Sequence, residues 1–125
     1  MSGLPINVSV TPDYHAAESS DSEERYVFSY TVTVHNQSPH SVQLMARYWK
    51  ITQGSGDSQE VRGKGVAGQQ PLIGPGQHFR YTSRAILQTP VGVMEGAYTL
   101  LNTCTQRSFD VPIAPFRLAV PRQLH

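Results

Sequence analysis

The residues whose spacing could support chemistry form a glycine-rich hexapeptide of the pattern G-x-G-x-x-G. It consists of Gly63, Lys64, Gly65, Val66, Ala67 and Gly68. In a dinucleotide-binding fold this motif joins a buried strand to a helix, and the helix N-terminus stabilises a pyrophosphate. Here Pro71 and Pro75 follow closely, with glycines at 74 and 76, which is typical of turns and strands. The segment therefore either binds phosphate through a strand-borne loop or only shapes a hairpin.

A phosphate site in this segment would use backbone and side chains together. Successive backbone N–H groups in a glycine-rich turn can form a concave anion site without a helix. Arg62 and Lys64 share one side-chain parity in an extended chain, so both could face one phosphate. The predicted phosphate-binding residues are Arg62, Gly63, Lys64, Gly65 and Gly68. In the structural alternative, Gly63 and Gly65 serve a bulge or hairpin and Gly68 permits close sheet packing.

An aromatic pair provides a second candidate surface. Tyr48 and Trp49 are adjacent, so their side chains point to opposite sides of a strand and only one can lie in the core. The exposed ring, with Arg47 beside it, could stack on a nucleobase or contact a protein. Arg47 and Trp49 are therefore candidate surface contacts, with core packing as the alternative for Trp49.

Neither a metal centre nor a reaction centre is predicted. The histidines are His15, His35, His40, His78 and His125. Only His35 and His40 flank one turn, and two imidazoles without a carboxylate make a poor site for cobalt or zinc. Cys104 is the single cysteine, which excludes an intrachain disulfide, and no histidine neighbours it in the sequence. We expect no enzyme, no metal and no cofactor.

Length and charge narrow the class of protein. The 125 residues predict one domain spanning 1–125, and a net charge of +1 gives no strong nucleic-acid signal. No run approaches the roughly 18 apolar residues that a membrane helix needs. The first six residues lack a charged segment followed by an apolar run, so a cytoplasmic location is expected.

Period-2 alternation dominates the chain and predicts strands. Residues 26–35 place aromatic and β-branched side chains on one face. In the next run, alternation predicts one face with Val42, Leu44, Ala46 and Tyr48 and an opposite face with Met45, Arg47, Trp49 and Ile51. Further short strands are predicted at 6–10, from 79, and at 94–101, 108–113 and 116–120. Polar residues 16–24 and 53–60 are predicted to be mobile connections. Seven to nine strands indicate an all-β, immunoglobulin-like antiparallel sandwich.

Six separated segments resemble one family along essentially the whole chain. They are residues 24–32, 46–52, 63–76, 81–83, 89–98 and 116–121. The chain is identified from them as similar to the ApaG (CorD) family. The family pattern has glycine where this chain has Arg84, a cation that could alter a turn or add a phosphate contact. Arg84 is therefore a third candidate surface contact. Ala67 replaces a larger aliphatic residue of the pattern.

The resemblance implies several properties. It implies an immunoglobulin- or fibronectin-III-like sandwich, an association with cobalt tolerance and magnesium efflux, and a use as an interaction module. It also implies a pyrophosphate or nucleotide site at residues 63–68, and a gene that is often encoded beside a diadenosine tetraphosphate hydrolase. We expect a non-catalytic module that contacts another protein, with a homodimer as one option. The alternative is a sensor of pyrophosphate or nucleotide polyphosphate, or a phosphoanhydride hydrolase.

Overall fold

The computed structural model describes residues 4–121, which leaves residues 1–3 and 122–125, His125 among them, outside it. Eight strands and one 3-10 turn, at Ala16–Glu18, make up this part of the chain. The strands are β1 (Ile6–Tyr14), β2 (Tyr26–Asn36), β3 (Val42–Gln53), β4 (Ser58–Lys64), β5 (Leu72–Ile73), β6 (His78–Leu87), β7 (Val91–Asn102) and β8 (Arg107–Ala119). The predicted all-β class and strand number are confirmed.

The strands form two antiparallel sheets. One has the order β1-β2-β6, and the other has the order β4-β3-β7-β8, with β5 added to β3. The alternation in β2 explains why the sheets pack, because the even-numbered residues from Phe28 to Val34 are buried while the odd-numbered residues between them are half-buried. Trp49, Tyr98 and Leu100 face them from the second sheet. The core is therefore the space between the two inner faces, as in a sandwich.

A β-bulge in β3 corrects the predicted faces of that strand. The pairing of β3 with β7 shifts between Leu44 and Ala46, so one extra residue enters the strand there. The side-chain alternation changes phase at that point. Leu44 and Trp49, which strict alternation assigns to opposite faces, both lie in the core. Arg47 shares the parity of Trp49 and so belongs to the inner face of β3.

Several strand limits also differ from the sequence prediction. β1 continues through Pro12, because it is an edge strand and needs no N–H on its free side. β4 begins at Ser58, inside the segment 53–60 that was predicted to be a mobile connection. β8 is continuous where two short strands were predicted. The segment 16–24 contains the 3-10 turn, and Ser20 pairs with Arg25 across its far end.

The two long sides of the sandwich are not equivalent. On one side β1 contacts β8, so the edge strands of the two sheets cover each other. On the opposite side lie β4 and β6, the other two edge strands. Residues of both strands line a groove that opens between the sheets. We call this side of the sandwich, bordered by β4 and β6, the open side.

Candidate functional site

The glycine hexapeptide ends strand β4 and turns the chain back. Gly63 and Lys64 pair with Arg47 and Ala46 of β3, so the first half of the motif is a strand. Val66 and Gln69 exchange two backbone hydrogen bonds of 2.8 Å each. The residues between them, Ala67 and Gly68, have φ values of +49° and +74°. Two successive positive φ angles are typical of a type I′ hairpin turn, so the motif builds a tight turn.

Most backbone amides of this turn already have partners. The N–H of Gly65 donates to the Met45 carbonyl oxygen at 2.8 Å, and those of Val66 and Gln69 donate within the turn. Ala67 and Gly68, at the exposed tip, are left to supply free amides. The loop carbonyls face Arg47 instead, whose Nη1 donates to the carbonyl oxygens of Lys64 at 3.1 Å and Gly65 at 2.9 Å. An anion would therefore meet the side chains beside the loop before its backbone.

Those side chains border a shallow depression of about 590 Å³ on the outer face of the larger sheet, which we call the loop cleft. Its lining residues are Met45, Ala46, Arg47, Tyr48, Arg62, Gly63, Lys64, Gln70 and Thr99, so Arg47 borders it as well. The guanidinium of Arg62 lies 4.3 Å from the centre of the Tyr48 ring. Arg62 is also 3.7 Å from a carboxylate oxygen of Glu60, an exposed pair that contributes little to stability. The shared parity of Arg62 and Lys64 thus places two cations on one surface.

One of the three candidate surface contacts needs correction. Trp49 is 3% exposed and packs edge-on against Tyr30, so it is a core residue. Tyr48 is the ring of the aromatic pair that faces outward, beneath Arg62. Arg84 lies on β6 in the other sheet, so it does not join Arg62 and Lys64 at the loop cleft.

Arg84 has an acidic partner of its own. Its Nη2 donates to a carboxylate oxygen of Glu18 at 2.6 Å. This hydrogen bond from the Arg84 guanidinium lowers the pKa of the Glu18 carboxyl. The contact ties β6 to the 3-10 turn that precedes β2.

Arg47 and Arg84 do share one feature, the groove between the sheets on the open side. This edge groove has a volume of about 320 Å³. Its polar lining comes from Tyr30, Arg47, Gln59, Ser83 and Arg84. Its apolar lining comes from Trp49, Ile51, Val61, Ala85, Ile86 and Met94. Volumes of about 300 Å³ and above are typical of pockets that receive a ligand or an anchoring side chain.

Beside the edge groove, two tyrosines form a buried polar pair. The hydroxyls of Tyr81 and Tyr98 are hydrogen-bonded to each other across the two sheets. Burial raises the pKa of Tyr81 to about 12. Burial, and then the neighbouring Tyr81, also raises the pKa of Tyr98, which is fully buried. Both hydroxyls therefore stay protonated at neutral pH and act as neutral hydrogen-bonding groups.

Two histidines of neighbouring strands lie together. His35 of β2 stacks on His78 of β6, with ring centroids 3.9 Å apart. Within residues 4–121, no three His, Cys, Asp or Glu side chains are close enough to hold a metal ion. Cys104 is exposed in the turn between β7 and β8.

Sequence reasoning missed three residues of the open side. Tyr30 and Ser83 point into the edge groove, and Ile86 is 57% exposed at its rim. A serine on the inner face of β6, between Tyr81 and Ala85, was a detectable signal, since polar residues rarely occupy such positions without a reason. Knowing which strands form edges required the sheet order.

Helices contribute little to this molecule. In the described part of the chain, no helix has the length and apolar character needed to cross a membrane.

Comparison with known proteins agrees with this architecture. Residues 16–102 match the model of the ApaG domain. A protein named ApaG from Chromohalobacter salexigens is 70% identical over 120 residues, which is 96% of this chain and 94% of that protein. The ApaG protein of Pectobacterium atrosepticum is 49% identical, with 96% and 95% of the two chains covered.

Solved structures give the same result. A crystal structure from Bordetella pertussis matches with a TM-score of 0.92 at 47% identity, covering 98% of both chains. The C-terminal domain of wzt matches at only 5% identity with a TM-score of 0.59, covering 99% of this chain and 78% of that one, and shares the fold alone. With its family model matched over most of the chain and its relatives nearly full-length, the protein belongs to the ApaG domain family.

Proposed function

We propose that this protein is a non-catalytic, cytoplasmic binding module that receives an extended segment of another protein along the free edge of β6. A segment added there would continue the β1-β2-β6 sheet through main-chain hydrogen bonds. Its alternate side chains would enter the edge groove. The association with cobalt tolerance and magnesium efflux, which the family resemblance implies, would then be indirect and depend on the bound protein.

The unprotected edge of β6 is the observation that carries this proposal. Edge strands usually hold proline, charge or a covering element against unwanted pairing. Of the four edge strands longer than the two-residue β5 in residues 4–121, β1 contains Pro12 and β8 contains Pro112 and Pro115, and these two strands contact each other. β4 contains Gly63 and a run of charged residues. β6 has neither proline nor glycine over ten residues.

The arginines of β6 leave its edge open. Arg80 donates from Nε to the hydroxyl of Thr33 at 3.2 Å, and Arg84 donates to Glu18. The Arg80 guanidinium is thus held over β2 and that of Arg84 by the 3-10 turn, so neither is free to cover the edge. Ile86 remains exposed beside the groove and offers an apolar contact.

Selection of peptides tests this proposal directly. A displayed library of random decapeptides is selected on the protein, and the sites of bound peptides are mapped by amide NMR shifts. We expect shifts centred on β6, and at least tenfold weaker binding after Ile86→Lys. Leu72→Lys is the matched control, since Leu72 is 62% exposed but lies on β5. Shifts confined to other strands, or equal effects of the two substitutions, would refute the proposal. A dimer in sedimentation whose dissociation on dilution shifts the amides of β6 would also refute it, because a second copy would then occupy this edge.

The loop cleft supports a second candidate, binding of pyrophosphate or a nucleotide polyphosphate. Arg62 and Lys64 share one outward surface with the Tyr48 ring, so two cations and an aromatic platform border the same depression. The free amides of Ala67 and Gly68 lie at the tip of the adjoining turn. This candidate makes the side chains of Arg62 and Lys64 the main ligand groups.

Titration with pyrophosphate, ATP and diadenosine tetraphosphate, with and without magnesium, tests the second candidate. Saturable amide shifts in residues 62–68 that disappear in Arg62→Gln/Lys64→Gln would support it. The matched control is Lys50→Gln, which removes a cation from β3 outside the loop cleft. An unchanged spectrum at millimolar ligand would exclude it.

A further inference from the structure

Arg47 is a cation on the inner face of a sheet without an acidic partner. It is half-buried, and no carboxylate of residues 4–121 lies within ion-pair distance of its guanidinium. Nη1 donates to two loop carbonyls, which leaves Nε and Nη2 without a partner in the described chain. An arginine keeps its charge at any physiological pH. A partly desolvated charge is costly unless it is paired, so an anion from outside would be strongly favoured here.

Two hydroxyls line the same groove and also lack partners within the described residues. Tyr30 is 6% exposed, and its ring packs against Trp49 with 5.4 Å between centroids. Ser83 pairs with Tyr30 across the β2–β6 ladder, so both side chains point into the space between the sheets. A guanidinium and two hydroxyls are all hydrogen-bond donors. A carboxylate, which only accepts hydrogen bonds, is the group that matches them.

The polar and apolar parts of the edge groove follow one another along its length. Arg47 pairs with Tyr98 across the β3–β7 ladder, and the hydroxyl of Tyr98 meets that of Tyr81 on β6. The Arg47 end of the groove therefore lies near the first half of β6. Ile51 lines the edge groove and also a neighbouring depression that extends to Leu87 and Gln88. The end of the groove at Ile51 therefore lies near the last residues of β6. An occupant would therefore place its carboxylate beside Ser83 and apolar atoms beside Ala85 and Ile86.

We infer that the segment bound along β6 carries an Asp or Glu whose carboxylate is received by Arg47, two residues from an aliphatic side chain. Because side chains of a strand alternate, the two inward positions of an added strand opposite Ser83 and Ala85 are two residues apart. The small side chain of Ala85 leaves room for an aliphatic group. This inference rests on the proposed function, since it specifies the chemistry of the partner that β6 receives.

Selected peptides test the inference with a double-mutant cycle. Peptides that shift β6 amides are expected to be enriched in Asp or Glu two positions from Val, Ile or Leu. Changing that acid to its amide should weaken binding to the wild-type protein at least tenfold, and to Arg47→Met less than twofold. Arg62→Met is the matched control and should keep the full tenfold difference.

A second variant covers the case in which Arg47→Met folds poorly. Gly63→Ala keeps the charge but displaces the guanidinium, because an added Cβ would lie 2.6 Å from Cζ of Arg47. It should reduce the acid-to-amide difference as Arg47→Met does. An equal difference in the wild type and both variants would overturn the inference and leave binding at β6 intact. Peptides that do not shift β6 would instead overturn the proposed function.

Discussion

The guanidinium of Arg47 lies against Gly63, on the inner side of the strand that follows it in the larger sheet. A Cβ at position 63 would be 2.6 Å from Cζ and Nη2 of Arg47, so the bare backbone makes room for the arginine. The side chain passes Gly63 to reach the carbonyls of Lys64 and Gly65. One glycine of the hexapeptide thus positions the cation of the edge groove.

Gly63→Ala should lower the free energy of unfolding by about 1 kcal/mol, because it disrupts two hydrogen bonds that each contribute of that order. Urea denaturation measures this change. In an Arg47→Met background the same substitution should cost much less, since the displaced group is gone. An equal cost in both backgrounds would mean that Gly63 serves the backbone rather than Arg47.

Gly65→Val should prevent stable folding, with a loss of about 3 kcal/mol or more in unfolding free energy. Gly65 has a φ of +64°, and an added Cβ would overlap the carbonyl of Gln69. Gly68→Asn is the comparison, because φ is +74° there but no atom lies within 4 Å of the added Cβ, and Asn tolerates this conformation. Thermal unfolding of the two variants should differ clearly. Equal melting temperatures would contradict the assigned turn geometry.

Raising the pH should destabilise the protein from about pH 10 upward. Tyrosine in the unfolded chain has a pKa near 10, whereas burial raises the pKa of Tyr81 to about 12 and also raises that of Tyr98. Above pH 10 the unfolded chain therefore binds fewer protons than the folded protein, so the unfolding free energy falls as pH rises. The stabilisation from the two tyrosines is complete below pH 10 and is lost as the pH rises through their pKa values in the folded protein.

Urea denaturation at pH 8 and pH 11 measures this dependence. Tyr98→Phe should reduce the difference in unfolding free energy between pH 8 and pH 11, because it removes one hydroxyl whose pKa is raised in the folded protein. Tyr48→Phe, on the outer face, should leave the difference as in the wild type. A pH dependence that Tyr98→Phe does not change would assign the alkaline loss to other groups.

Asn36→Ala should be strongly destabilising, by about 2–4 kcal/mol. Asn36 is completely buried, and its Nδ2 donates to the carbonyl oxygens of His40, Ile73 and Gly74 at 2.7, 3.0 and 3.2 Å. Its Oδ1 accepts from the backbone N–H and the hydroxyl of Ser38. Asn7→Ala, on the exposed face of β1, is the control, and chemical denaturation should show that it changes the unfolding free energy by less than about 0.5 kcal/mol. Similar losses in both variants would show that the Asn36 network contributes little.

Local pattern was sufficient to predict the class of fold and most strands. The alternation of residues 26–35 predicts β2 because a strand with one buried face requires period-2 burial. The glycine and proline pairs around residues 63–76 mark turns because few other residues adopt those backbone angles. The shared surface of Arg62 and Lys64 also follows from alternation alone.

What the sequence could not reveal depends on contacts between distant strands. The bulge at Leu44 and Ala46 arises from pairing with β7, and it places Trp49 and Arg47 on the inner face. Sheet order makes β6 an edge and sets Arg84 apart from Arg62 and Lys64. The edge groove exists because β4 and β6 border the same open side of the sandwich. Alternation is a local property of the backbone, whereas register, edges and grooves are set by packing among distant segments. Thr31 and Thr82, for example, are 51 residues apart in the chain, and their hydroxyls meet at 2.8 Å.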